Sequence, residues 1–467
     1  MKSVFIYIVW RYTAAIFVCL MFFSMTAWGQ DADTYFKRRS QFQEIASKLD
    51  FGGEFLMVLN TDKLLDRVID SALSDNTGEP ANSPAEKEIR GTIERFREFL
   101  MRNGFSAVHG IGISSVQDGE SSHSVKVYIS RDYIDSNLPL WRGLVGWQPR
   151  RLLSLDFIPS NAAFVRAGNP QIDSLWKLVN SAMNEVATPS LKKDFDESVK
   201  NAGAWLGMDV EDVVESLRDE FMYAVSFSRT EETPVSAGSG LVSMPAPSFL
   251  LVVSAKTDIL RGLVTAKFAQ HGIALNESAV GDVIMRVSQK KITVPFAVQP
   301  AFASTSGFFL LGSTPEIVAD ALLAYRHKNG LISRPEFKSA FQGLSMVNNG
   351  IIYISPEMGR FFGKIRDFKI EQHISEKRKH PAFYRIMKQI MSYDGKTEEA
   401  AFVIHNWKNG VMIMGNSSIG GQDIAMRMLA SASSHPIPLF KGCPKKHGIY
   451  RRLFHSSRKS DKAIPEK

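Results

Sequence analysis

Five times along this chain a short apolar run ends in a small polar residue and passes at once into an amphipathic helical pattern. The runs are Leu56 to Leu59 before Asn60-Thr61-Asp62, Ala163 to Val165 before Gly168-Asn169-Pro170, Leu250 to Val253 before Ser254, Phe308 to Leu311 before Ser313-Thr314-Pro315, and Ile351 to Ile354 before Ser355-Pro356. Asn, Ser and Thr offer a side-chain oxygen to the free N–H groups of a first helical turn, and Pro tolerates the first helical position because it has no N–H to lose. Beyond the joints apolar residues return at three- and four-residue steps, as in Leu64, Leu65, Val68, Ile69, Ala72 and Leu73, or Ile317, Val318, Ala321, Leu322 and Tyr325, so one helix face is meant for burial. The runs themselves are nearly continuous in Val, Ile, Leu and Phe, which predicts central strands covered by these helices. No joint carries the Gly cluster that lets a phosphate approach the backbone, so caps account for the polar residues without a ligand.

Three segments share one order of elements. Each opens with a turn and an apolar strand: Gly52-Gly53 then Phe55 to Leu59, Pro159-Ser160-Asn161 then Ala162 to Arg166, and Asn348-Asn349-Gly350 then Ile351 to Ile354. Helical pattern follows, at Ala85 to Met101, Leu191 to Trp205 and Pro381 to Ser392. A strand pair closes each segment. In the first it is Val108 to Ser114 and Val125 to Ser130 around Asp118-Gly119; in the last it is Ala400 to His405 and Val411 to Gly415 around Asn409-Gly410, both hairpin turns. The middle pair, Met222 to Phe227 and Phe249 to Val253, is joined by a Ser, Gly and Pro-rich loop from Arg229 to Ser248. The middle segment adds strands at Val283 to Val287, Ile292 to Val298 and Phe308 to Leu311. The expected fold class is α+β, with repeated units of mostly antiparallel sheet and helices packed on one face. The units are residues 50–150, an enlarged 151–345, and 346–435.

The middle segment also carries Phe157-Ile158-Pro159-Ser160-Asn161-Ala162-Ala163-Phe164-Val165, Gly207-Met208-Asp209 leading into a helix and Glu220, and Gly307 to Pro315. In these residues the chain resembles a group of large exported bacterial proteins, classed as a domain of unknown function, whose units open with Pro followed by an apolar strand. The resemblance spans residues 150–370, and Asn349-Gly350-Ile351 departs from the Pro-type opening in the last segment. It implies repeated strand-helix units and brings no activity with it.

At 467 residues, with 44% hydrophobic and 22% charged content, the chain has ample material for a core. Lys2 and Arg11 precede an apolar stretch from Thr13 to Trp28, and Ala27-Trp28-Gly29 places small residues at the spacing of an export cleavage site. Residues 1–29 therefore read as a signal peptide cut near Gly29 and Gln30, with an uncleaved N-terminal anchor as the alternative. Val18 before Cys19 speaks against lipid attachment at that Cys. The formal net charge of +8 sits at the ends: Lys2 and Arg11 in the signal, and nine Lys or Arg against Asp461 and Glu466 in residues 441–467, which leaves the body at −1. A broad basic surface is absent from it, so no nucleic-acid partner is expected. The two cysteines, Cys19 and Cys443, fall in the signal and the tail, so the body holds no disulfide and stands on its core alone.

The motif search identifies no catalytic, cofactor-binding or metal residue. Gly395-Lys396-Thr397 lacks the first Gly of a phosphate-binding loop, with Ile390 in its place, and leads into a strand. Gly110 and Gly112 lie inside a strand pattern and read as a bend. Ser190, Ser288 and Ser456 each have a Lys three residues on, without companion motifs. His373 and His380 flank Glu376 and Lys377-Arg378-Lys379 and read as a solvated, charged helix start. Glu211-Asp212 and Asp219-Glu220 flank the apolar stripe of Val210, Val213, Val214 and Leu217, which sends the acids outward. Asp156 and Asp209 lie beside apolar residues and suit either burial or capping.

Only the basic tail has the character of a contact surface. Lys445, Lys446, Tyr450, Arg451, Arg452 and Phe454 interleave charge and aromatics, which suits an anionic membrane surface or an acidic envelope polymer; a solubilising tail is the plainer reading. The sequence thus leads to an expectation of a non-enzymatic binding or scaffold protein of the periplasm or envelope. The alternative is a hydrolase with an unrecognised site in an inter-unit cleft, under the loop from Arg229 to Ser248.

Overall fold

In the computed structural model, the described residues are 41–61, 84–105, 108–119, 122–131, 139–237, 240–293, 297–361, 399–418 and 420. The elements in chain order begin with β1 (Phe55–Asn60), α1 (Pro84–Leu100), β2 (Val108–Gln117), β3 (His123–Arg131), α2 (Pro139–Val145), β4 (Arg150–Arg151) and β5 (Ala162–Gly168). Next come α3 (Ile172–Glu185), α4 (Pro189–Leu206), α5 (Val210–Ser216), β6 (Leu217–Ala237), β7 (Gly240–Ala255) and α6 (Thr257–Gln270). The strands β8 (Leu275–Val280), β9 (Val283–Ser288), β10 (Ile292–Thr293), β11 (Ala297–Val298), β12 (Ala301–Thr305) and β13 (Phe308–Gly312) follow. Last are α7 (Pro315–His327), α8 (Pro335–Ala340), β14 (Val347–Asn348), β15 (Gly350–Ile354), β16 (Ala400–Trp407) and β17 (Gly410–Ser417). Thirteen of these strands form one sheet in the order β1-β2-β3-β17-β16-β15-β5-β6-β7-β13-β12-β9-β8, and neighbours run antiparallel. The fold is α+β.

The strand-to-helix joints divide by what their polar residues do. Thr314 caps α7, accepting the Ile317 N–H at 3.4 Å with Pro315 in the first turn, and Ser355 accepts the Met358 N–H at 3.3 Å ahead of a helix over residues 356–361. The other two described joints differ from expectation. Asn169 does not cap α3, whose start falls at Gln171 without a side-chain cap. Its amide is drawn instead into a buried lattice, in which Asn349 Nδ2 donates to Asn169 Oδ1 at 3.3 Å and Asn349 Oδ1 accepts the Asn406 N–H at 2.7 Å. Ser254 stays in β7 opposite Phe308, and α6 starts only after Lys256, which provides no side-chain cap.

The main core lies under β5, β6, β7, β13, β12, β15 and β16. Val165, Met222, Ala224, Leu250, Val252, Leu310, Ile351 and Val403 meet Ile317, Val318, Ala321 and Leu322 of α7 and Phe337 of α8. A short 3-10 turn, Leu153–Phe157, closes it, with the Phe157 ring stacked on Tyr325 at 4.3 Å. Helices were expected on one face only, but α6 lies on the opposite one: Phe268 stacks on Phe302, whose strand neighbours Ala301 and Ala303 face α7. The bend read at Gly110 and Gly112 is a register shift between Val108 and Gly110, beside the Ile45 and Leu49 side chains. Gly410 closes the last hairpin where a Cβ would lie 2.4 Å from the Ile129 carbonyl oxygen.

The segment from Arg229 to Ser248 is not a loop. It extends β6 and β7 into a two-stranded arm, paired from Glu232↔Pro245 to Ala237↔Gly240, with β6 carrying three more residues than β7 between Phe227 and Glu232. Pro and Ser make it read as a loop in sequence, yet Pro is compatible with strands that have free edges, and beyond Ser226 and Phe249 the arm pairs with no other described strand. Ile292-Thr293 and Ala297-Val298 pair antiparallel with each other as β10 and β11 instead of belonging to one strand, and β8 and β12 are additional strands. The segment 1–29, the helical patterns at 64–73 and 381–392, His373, His380, Gly395-Lys396-Thr397 and the tail 441–467 lie outside the described residues.

Candidate binding groove

Where α5 passes into β6 the sequence changes period. The helix ends at Ser216, whose carbonyl accepts the Lys256 N–H at 2.8 Å, and strand pairing starts with Leu217↔Ala255. The next pair is Phe221↔Val253, so Arg218, Asp219 and Glu220 together oppose the single Ser254. A bulge of this kind re-aims successive side chains, and all three line one groove of about 860 Å³. Glu220 corrects the expectation of outward acids: it is only 4% exposed, accepts the Ser154 N–H, and lies 3.5 Å from Arg150 Nη2. Glu211, Asp212 and Asp219 are exposed, as their spacing implies.

One wall of the groove is helical, with Asp173, Trp176, Lys177 and Asn180 from α3 and Glu211, Val214 and Glu215 from α5. Trp176 Nε1 donates to Glu211 Oε1 at 3.2 Å, which ties the two helices together, and Lys177 lies 3.5 Å from Asp173. The other wall is built from strand ends: Arg218 to Glu220, Ser254, Lys256, and the β12–β13 turn at Ser306-Gly307. That turn has φ of 51° and 78°, the left-handed pair that a tight two-residue hairpin needs, and Tyr325 donates to Ser306 Oγ at 3.0 Å. Arg150 and Arg142 border the groove; Arg142 is held by Gln171 Oε1 at 2.8 Å and stacks over Trp147. Leu153, Ile172, Leu217 and Phe308 give the lining its apolar part.

Among the described residues no His or Cys lines the groove. The acids and the His whose pKa is displaced lie elsewhere: burial raises Asp320 and Glu399, the latter helped by Glu336, and burial lowers His405. A second cluster joins a Ser, a His and a Glu. Ser115 donates to Glu54 Oε1 at 2.9 Å, His123 Nδ1 lies 2.7 Å from the same oxygen, and Ser115 is fully buried. Ser288 is buried as well and donates to the Lys290 carbonyl. Asp156 is nearly buried and bridges Arg151 and Lys328 at 3.3 and 3.1 Å, whereas Asp209 is an exposed helix-start residue with no side-chain cap. Among the described residues no group of three His, Cys, Asp or Glu could hold a metal, and no helix is long and apolar enough to cross a membrane.

The groove does not lie under the segment Arg229 to Ser248, where a cleft was expected, but at the opposite ends of β6 and β7. The residues expected to touch the envelope, Lys445, Lys446, Tyr450, Arg451, Arg452 and Phe454, lie outside the described residues. Sequence pattern alone does not single out Trp176, Arg218 or Lys256. The usable signal is local: a charged triplet, Arg218-Asp219-Glu220, at the point where a helical stripe gives way to a strand. No family model, curated protein or solved structure matches this chain.

Proposed function

We propose that the protein is an exported, non-enzymatic binding protein of the periplasm or envelope, and that the groove between α3, α5 and the strand ends is its ligand site. The observation that carries this reading is the groove itself. It combines a volume within the range of about 300–1,000 Å³ usual for ligand sites with charged and aromatic side chains. A photo-crosslinking residue placed at Asn180, inside the groove, is expected to label an envelope component that the same residue at Lys200, on the exposed surface of α4, does not. Equal labelling from both positions removes the groove from the account.

The same reading covers the ends of the chain and its internal order. Cleavage of the signal predicts a mature N-terminus at or near Gln30, and an intact Met1 on the envelope-associated protein supports the anchor instead. Deleting 441–467 is expected to release protein from the envelope fraction. Repetition of three units, as in the exported group the sequence resembles, draws support from topology: each opening strand pairs with the first strand of the hairpin that closes its segment, β1 with β2, β5 with β6, and β15 with β16.

A further inference from the structure

We infer that the half-open face of the sheet holds a long-chain carboxylic acid, with its carboxylate between Arg166 and Tyr223 and its chain over Leu251 and Leu311. Register fixes the face. Phe402, Ile352, Arg166, Tyr223, Leu251 and Leu311 are successive direct partners across β16, β15, β5, β6, β7 and β13. Paired residues point to the same side of a sheet, and the residues that alternate with them, Val403, Ile351, Val165, Ala224, Leu250 and Leu310, all lie in the main core. The row therefore stands on the face turned away from α7. Helices cover that face towards both margins of the sheet, α6 through Phe268 on Phe302 and α2 through Trp141 beside Ile404 and Val411. Between them Leu251 is 37% exposed and the other five residues of the row are half-buried.

The two polar members of the row are both donors. Arg166 and Tyr223 face each other directly across β5 and β6, and neither has a hydrogen bond or ion pair among the described residues. Burial lowers the pKa of Arg166 and raises that of Tyr223, with no charged neighbour acting on either. The other neighbours of Arg166 on this face are Phe164 and Gly168 along its strand and Ile352 across it, none of them an acid. A desolvated guanidinium without a counter-ion is costly, and an incoming carboxylate supplies what it lacks. Around the pair the surface is apolar, with the Tyr223 ring 6.1 Å from that of Phe164 and 6.3 Å from that of Phe249. Leu311 stands three strands away from Arg166, about 14 Å at the usual spacing, so the apolar strip matches an extended chain better than a compact acid. A second copy set on the same face brings no acid to Arg166, and a bare phosphate leaves the strip uncovered. None of these residues lines the groove, so this site is independent of it.

The test is calorimetric titration of the full chain with dodecanoate and with dodecan-1-ol, both below the concentration at which they aggregate. Dodecanoate is expected to bind, and the alcohol to bind about tenfold more weakly, the size of one charge-assisted contact. Arg166→Gln should abolish the discrimination between acid and alcohol, and Arg166→Lys should keep part of it. Tyr223→Phe should weaken the acid alone, whereas Leu251→Gln should weaken acid and alcohol alike. Removing an unpaired charge leaves the melting temperature unchanged or higher, which checks that the Arg166→Gln protein is folded. Three results overturn the inference: equal binding of acid and alcohol to the parent, discrimination that survives Arg166→Gln, or no binding of dodecanoate. In the last case a parent dimer that Leu251→Gln makes monomeric assigns the face to a second copy.

Discussion

In α7 the residues Ile317, Val318, Ala321, Leu322 and Ala324 are buried, whereas α3, of nearly the same length, buries none of its residues and α4 buries only Phe195. All three helices carry amphipathic patterns. The difference lies in what they meet: α7 lies across the face of the sheet over Leu250, Val252 and Leu310, while α3 and α5 stand beside the strand ends. A helix on a sheet face has its whole stripe covered. A helix at strand ends covers part of its stripe, touches other helices, and leaves a groove, so the weaker packing and the groove have one cause. Local stability follows the same division, since regions with few buried apolar contacts open below the global free energy.

The comparison can be broken most directly by truncation. Phe157 is fully buried between Tyr325 and Phe308, and Phe157→Ala should cost about 3–5 kcal/mol in urea unfolding. Leu191 on α4 is 45% exposed, and Leu191→Ala should stay within about 0.5 kcal/mol. Similar losses at the two sites would erase the distinction between the layers. Glu220 stands where they meet, and Glu220→Ala leaves the buried Ser154 N–H without its acceptor. A cost of about 1–3 kcal/mol is expected, and a neutral result would mean that the bulge is not pinned by this carboxylate.

A smaller effect separates the regions by pH. Glu399, beside β16, has its pKa raised by burial first and then by Glu336. Because the folded value exceeds the unfolded one, the associated stability is fully present below the ordinary value of 4.5 and is lost as pH rises through the raised value. Glu399→Gln should therefore be more stable than the parent at neutral pH, with a flatter profile between pH 4.5 and neutrality. Parallel profiles for parent and variant would show that Glu399 is not desolvated. His405 acts in the opposite sense, since burial lowers its pKa: stability is lost as pH falls below 6.5.

Much of the sheet was legible in sequence because continuous Val, Ile and Leu runs and hairpin turns depend on local chemistry, as in β13, β15, β16 and the Thr314 cap. The arm was not, because Pro and Ser read as loop in any segment whose edges are unknown. Asn169 escapes a local reading for a tertiary reason: its amide serves a lattice with Asn349 and Asn406, each far away in sequence. The groove was the least legible. It depends on Arg218, Asp219 and Glu220 opposing one residue, and register of that kind exists only once β6 and β7 are paired.

Hydrogen exchange of the full chain bears most directly on the claim that loosely packed helices stand beside a rigid sheet. Amides of α3 and α5 are expected to exchange through local opening while those of β5, β7 and β13 exchange only with global unfolding. Helices that exchange only with global unfolding, or core strands that open locally, would contradict that claim.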